Sequence, residues 1–581
     1  MIAVEAKAGR VSPALVVLAM LACCEPGAAR ELSREVLVSG SISRAPVDLG
    51  EYTPPPEAVP PRNRFEGSLA LTRKGRNGFR SLSVDPAFLD PHHRDVSSLP
   101  EFEFEYVQDG SDLIPVRRGT IPGRHPSWEL ILEPGKAWDE PGDGGYSRAS
   151  LPFALEERNA NCMHDGVLTF LFKSDGAISS ARWQVSSETC LYEKFDAWGT
   201  LEARYTPGRV ADAARIVDAH RAEVAARVPV RPISALAQDH PGADPARFGS
   251  PGEVSPSDMT VYGFVIDGIH YVGGCNTRHG LHPFCDVLDL PSYSLAKSMA
   301  GGIGLMRLEA LYPGASNRFV RDHVPACATD DRWQGVTFGH TLDMATGLYR
   351  SEGDQADESA PEVARFFFPE DHESRIRYAC REYARKAPPG TIWVYHTSDT
   401  YLLGAAMNGF LRSQRGASAD FFRDLLADEL WKSLKLSPAA GVTRRTYDAA
   451  AQPFTGYGLT LHRDDIVKLA TFLSLDGGRI DGKQVLDPQM LRAALQRDPE
   501  DPGLRAAHDG FRYHNGFWAY DAARVLGCRG PVWVPYMSGF GGLQVVMFPN
   551  RTIYYYVSDG GEFRWAAAAA EANRIRRFCG P

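Results

Sequence analysis

Between residue 30 and about residue 208 the chain carries short strand-like runs of hydrophobic positions broken by polar turns, and reads as β-rich. Such runs cover 36–42, 102–108, 128–132, 167–172, 181–186 and 199–205. Proline and glycine clusters such as Tyr52-Thr53-Pro54-Pro55-Pro56 separate them. The pattern predicts a β-rich sandwich or barrel over 30–228, ending in a helix at 210–228. Residues 229–258 are rich in Pro, Gly, Ala and Asp and read as a linker. From Met259 the texture changes. Strands are expected at 260–266 and 270–273 around Asp267-Gly268, and again at 532–537, 543–548 and 553–557. Helical stretches lie between, and a closing helix is expected at 563–578. This order predicts an α/β sandwich over 259–581, an antiparallel sheet flanked by helices whose strands come from both ends of the segment.

The 581 residues are too many for one compact domain, and 44% hydrophobic content supports sizeable cores. The net charge of −9 is spread over mixed acids and bases. No basic stripe with aromatics points to nucleic acid. No apolar run reaches the length of a transmembrane helix in the mature chain. The first 29 residues read as a signal peptide: Lys7 and Arg10, then an apolar stretch to Cys24, then Gly27-Ala28-Ala29. Lipid anchoring through Cys23 or Cys24 is the alternative. Either way, a periplasmic or secreted location is expected.

Eight cysteines follow residue 29, an even number that permits four disulfides in an exported protein. Cys162 and Cys190 flank an expected hairpin symmetrically about Gly176, which places them opposite one another. Cys275 and Cys285 would close a small loop. Cys327–Cys380 and Cys528–Cys579 remain by elimination. No Cys-x-x-Cys spacing suggests zinc. His92, His93 and His164 are read as loop or surface histidines rather than ligands, and no metal or cofactor is expected.

Ser294-Leu295-Ala296-Lys297 carries the chemistry. At i and i+3 a hydroxyl and an amine share one helical face. A neutral amine there can take the serine proton, making a nucleophile–base pair for acyl transfer.

A second segment, Pro389-Gly390-Thr391 through Tyr395-His396-Thr397 to Leu402-Leu403-Gly404, resembles the Pro-Gly-Thr…Tyr-Ser-Asn…Leu-Leu-Gly stretch of the serine β-lactamase-related family. That family includes class C β-lactamases, related esterases and D-alanyl-D-alanine carboxypeptidases. The 336–348 stretch, with Val336-Thr337, His340 and Gly347-Leu348, is similar to another family segment, as are Gly458-Leu459-Thr460 and Arg463-Asp464. Met537-Ser538-Gly539 stands where the family has Lys-Thr-Gly or His-Ser/Thr-Gly, usually on an edge strand. The resemblance covers 259 to about 578. It implies that Ser294 is acylated, Lys297 activates it, and Tyr395 shuttles protons. It also implies an oxyanion hole from the backbone N–H groups of Ser294 and Phe540, with Thr397, Met537, Ser538 and Gly539 at the substrate.

Two departures matter. Thr397 replaces the family asparagine, and Met537 replaces a cation that would meet a substrate carboxylate. The expected function is an exported, esterase-like serine hydrolase acting on small esters or amides. The alternatives are a catalytically weak binding protein for cell-wall peptides or a surface partner, and a β-lactamase or D-alanyl-D-alanine carboxypeptidase. The sequence does not specify the oligomeric state.

Overall fold

The computed structural model describes residues 30–42, 44–89 and 95–579. The signal-like segment with Cys23 and Cys24, and His92 and His93, lie outside the described residues.

The first module is a closed antiparallel barrel. Glu66–Val84, Phe102–Asp109, Asp112–Pro115, Gly135–Trp138, Ser147–Glu157, Met163–Phe172, Ala181–Thr189 and Glu193–Pro207 pair in a ring. Closure comes from the first strand, Glu66–Val84, pairing with the last, Glu193–Pro207, and Trp128–Leu132 adds to Ser147–Glu157. Leu69, Tyr106, Leu151, Phe153, Leu168, Phe170, Trp183 and Phe195 are buried together as its core, so side chains fill the interior. Residues 36–42, expected as a strand, instead hold most of the helix Arg34–Ser39 and the residues that end it. The Ser33 hydroxyl caps its start and Gly40, at φ 61°, ends it. The long strand Glu66–Val84 was not expected, because its second half is exposed and shows no apolar alternation.

The helix after the barrel runs Ala213–Ala225. The stretch expected as a linker is ordered: Val230–Pro232 pairs in parallel with His270–Val272 and so joins the second sheet. That sheet runs, in space, Val230–Pro232, Ile269–Gly274, Met259–Ile266, Ile553–Ser558, Leu543–Met547, Trp533–Gly539, Phe517–Asp521, Phe511–His514, Leu504–Arg505. Strand alternation sends Phe264, Val546, Tyr554 and Tyr556 to one face, against Ala568, Ala569 and Ala572 of helix Ala566–Ile575. It sends Val261, Val545, Tyr555 and Val557 to the other, where Ile303–Leu311, Thr397–Arg415 and Arg463–Ser474 pack. This is the expected α/β sandwich.

Among the described residues four disulfides are present: Cys162–Cys190, Cys275–Cys285, Cys327–Cys380 and Cys528–Cys579. They fit an exported protein. Among the described residues no helix is long and apolar enough to cross a membrane. Barrel and sandwich meet through buried and half-buried polar groups. Arg444 lies between Glu129 at 2.6 Å and Glu156 at 3.1 Å, and Arg158 pairs with Glu370 at 2.6 Å.

Candidate active site

Ser294 sits where the chain leaves the short pair of Leu290–Pro291 with Thr460–Leu461 and turns into a helix. The residue before it, Tyr293, has φ 41°, in the left-handed region that side-chain-bearing residues avoid. Such strain costs of order 1–3 kcal/mol and persists only when the surroundings hold it. The Lys297 N–H donates to the Ser294 carbonyl at 3.0 Å, closing the first turn. The helix is widened to π geometry over Lys297–Gly302 before the regular Ile303–Leu311. Such bulges recur at functional sites.

The turn places three predicted groups in one hydrogen-bonded set. Lys297 Nζ donates to Ser294 Oγ at 2.9 Å, and Tyr395 Oη donates to the same oxygen at 2.8 Å. Lys297 Nζ also donates to Thr397 Oγ1 at 2.8 Å and to the Gly456 carbonyl at 3.3 Å. Gly456 must lack a side chain, since a Cβ there would come within 2.7 Å of Thr397 Cγ2. Tyr395 lies in the extended stretch just before helix Thr397–Arg415.

Burial disfavours the ammonium and brings Lys297 down to about 8, against a smaller upward pull from Glu358. The Tyr395 phenol moves the other way. Burial and the Glu358 carboxylate push it well above the ordinary phenol value, so it stays a proton donor.

Glu358 had no motif to mark it, because it falls in a stretch that reads only as an insertion. Its carboxylate accepts the Thr397 N–H at 3.0 Å and the Thr397 hydroxyl. A carboxylate at the first turn of Thr397–Arg415 also suits the positive end of that helix. Its neighbour Asp357 anchors the segment by meeting buried His396 Nε2 at 3.0 Å. Asp357 and Asp399 hold His396 up at about 9, despite its burial. The chain Lys297–Thr397–Glu358 thus replaces the amide expected from an asparagine.

The segment expected to complete an oxyanion hole does not lie on an ordinary edge strand. Trp533–Gly539 is an inner strand, but its pairing with Phe517–Asp521 ends at Tyr536. Met537–Gly539 pair only with Leu543–Val545, which leaves their other edge open. A Cβ on Gly539 would meet the Ser292 carbonyl at 2.9 Å, so this strand end lies directly on the Ser294 turn. Among the described residues neither the Ser294 N–H nor the Phe540 N–H has a hydrogen-bond partner. Ser538 is half-buried and receives Gln544 Nε2 at 2.7 Å. Met537 was expected at the substrate. Its side chain is 0% exposed, within the core on the helix side of the sheet.

Aromatic rings flank Ser294. Phe540 packs on Tyr293 at 5.6 Å and on barrel residue Phe88 at 5.3 Å, with Phe88 stacked on Tyr192 at 5.5 Å. Beyond Tyr395 stand Trp393 at 6.1 Å and Trp518 at 6.4 Å. Among the described residues Lys297 is the only basic side chain bonded to Ser294, Tyr395, Thr397 or Glu358.

Two clusters bear on metal binding. His164 lies near Cys162 and Cys190, but those sulfurs form a disulfide and offer no thiolate. Burial holds His164 down at about 3, and its Nε2 meets the Glu193 carbonyl at 3.1 Å. His462 Nε2 lies 3.5 Å from Glu133 and 3.6 Å from Asp289. Despite its burial, Glu133 and Asp289 hold the His462 imidazole well above the ordinary histidine value, so it faces the two carboxylates as a cation. That arrangement is an ion-pair cluster rather than a metal cradle.

No family model and no curated protein matches the chain. Solved structures do. EstCE1, a hydrolase with promiscuous acyltransferase activity, is 15% identical with a TM-score of 0.42, covering 61% of this chain and 99% of that one. A β-lactamase/D-alanine carboxypeptidase from Pseudomonas syringae is 12% identical with a TM-score of 0.41, covering 60% of this chain and 99% of that one. At such identities and scores, activity and substrate have to be argued from the site's own geometry.

Proposed function

We propose that the protein is an exported serine hydrolase that forms an acyl-enzyme on Ser294 and prefers uncharged, ester-like substrates. One observation carries this reading: Ser294 Oγ receives Lys297 Nζ at 2.9 Å and Tyr395 Oη at 2.8 Å. Ser294 Oγ attacks the carbonyl carbon while its proton passes to the neutral Lys297 amine. The N–H groups of Ser294 and Phe540 receive the developing oxyanion. As the carbonyl re-forms, the bond to the leaving group breaks. Tyr395 protonates the departing oxygen or nitrogen and is reprotonated from Lys297. Water then attacks the acyl carbon along the same route and releases the acid. A Lys297 pKa near 8 leaves a usable fraction of free amine at neutral pH. The Glu358 carboxylate and the absence of a second cation among the described contacts disfavour carboxylate-bearing substrates. The four disulfides support the exported location.

A fluorophosphonate probe tests the reading. Wild-type protein labels with one adduct and Ser294→Ala does not. Equal labelling of both overturns it.

A further inference from the structure

Two stretches of the barrel, remote from Ser294 in sequence, converge on its turn. Asn161 Oδ1 accepts the Tyr293 N–H at 2.8 Å and the Gly458 N–H at 3.1 Å. The Ser292 hydroxyl lies 3.3 Å from the same oxygen. Tyr293 Oη donates to the Thr189 carbonyl at 3.3 Å. Asn161 is 1% exposed, and its amide nitrogen is held by Glu156 at 3.0 Å. The next residues outward, Cys162 and Cys190, are joined by a disulfide.

We propose that the barrel is a working part of the catalytic site, with Asn161 as the residue that positions Ser294. The proposal rests on the acyl-transfer reading of Ser294. Tyr293 occupies a left-handed conformation that relaxes unless something holds it. Its N–H and its phenol are both tied to the barrel. The amide oxygen that takes the Tyr293 N–H also takes that of Gly458, two residues after the Gly456 carbonyl that bonds Lys297. A single acceptor therefore fixes the nucleophile's turn relative to the 456–458 segment that anchors the base. The Cys162–Cys190 disulfide staples together the two stretches that reach Tyr293, so the barrel's covalent frame is continuous with the site. This gives the first module a role: it holds the strained turn whose geometry sets the Ser294–Lys297 contact.

A displacement of about 1 Å in reacting groups costs about 100-fold in rate. Asn161→Ala is expected to slow fluorophosphonate labelling and kcat for a neutral p-nitrophenyl ester by about 100-fold, with KM within about threefold. Tyr293→Phe, a milder variant that keeps the ring, is expected to lose about threefold to tenfold in kcat alone. The double variant Cys162→Ala/Cys190→Ala should fall between them. Val185→Ala truncates a barrel-core residue away from the turn and controls for general destabilisation. It should lower the melting temperature without slowing labelling. The proposal is overturned if Asn161→Ala labels at the wild-type rate, or if Asn161→Ala and Val185→Ala lose rate in parallel with stability. If the wild type itself fails to label, the acyl-transfer reading falls and takes this proposal with it. An active wild type with an unaffected Asn161→Ala removes this proposal alone.

Discussion

Replacing Glu358 by glutamine removes the negative charge that pulls the Lys297 pKa upward. The two side chains are linked through Thr397 Oγ1, which accepts from Lys297 Nζ at 2.8 Å and donates to the carboxylate. Two hydrogen bonds in series put the charges roughly 5 Å apart. At an effective dielectric between about 20 and 40, their attraction is about 1.5 to 3 kcal/mol. One pKa unit corresponds to about 1.4 kcal/mol, so the loss lowers Lys297 by about one to two units from its value of about 8. The sign follows from the charges: a carboxylate favours the ammonium, and its removal favours the free amine. The acidic limb of kcat/KM, which reports deprotonation of Lys297 in the free enzyme, should therefore move down to about pH 6 to 7. The plateau should also fall, because a glutamine amide orients Thr397 less firmly. The assay is kcat/KM for a neutral p-nitrophenyl ester from pH 5.5 to 9.5, corrected for spontaneous hydrolysis. A limb that stays in place, or moves to higher pH, refutes the assignment of Lys297 as the base tuned by Glu358.

Three further outcomes are expected. Lys297→Met abolishes ester turnover yet should raise stability at pH 7. A lysine whose folded pKa lies below its unfolded value costs stability that is fully expressed below about pH 8 and fades toward 10.5, here about 3 kcal/mol before lost hydrogen bonds offset part of it. Denaturant midpoints for wild type and variant at pH 7 and pH 10 check both the sign and the window. Phe88→Ala removes the barrel's exposed ring beside Phe540 and should lower kcat/KM for butyrate or benzoate esters severalfold more than for acetate; an equal loss across acyl groups places Phe88 outside the acyl site. Glu358→Lys should improve the relative rate with a carboxylate-bearing ester while depressing activity overall, read from the ratio of two substrates.

Much of the second module was legible from its residues, and the reason is local. Met259–Ile266 and Ile269–Gly274 are short strand-like runs, and Asp267 and Gly268 both take positive φ between them. Tight local grammar of that kind survives in a sequence. The Cys162–Cys190 link was legible because a regular hairpin fixes distances between its ends. Ser294, Lys297 and Tyr395 were legible as residue types in order. Their meeting point depends on a π-widened turn and a strained Tyr293, features that no periodicity encodes. Glu358 and Asn161 were invisible for a different reason. Each acts through contacts formed across long sequence separations, Asn161 from another module altogether. The barrel closure was similarly hidden, because Glu66–Val84 pairs with Glu193–Pro207 from the far end of the module. Met537 shows the reverse hazard. Motif position placed it at the substrate, and strand alternation turned it into the core.

The most direct test of the account is peptide mapping of the acyl-enzyme itself. A slowly turned-over neutral ester is mixed with the protein, quenched in acid, digested and analysed by mass spectrometry. A single acyl group is expected on the peptide that contains Ser294, absent from Ser294→Ala and accumulating more slowly in Asn161→Ala. Ester turnover with the acyl group on another residue, or undiminished turnover by Ser294→Ala, would contradict it.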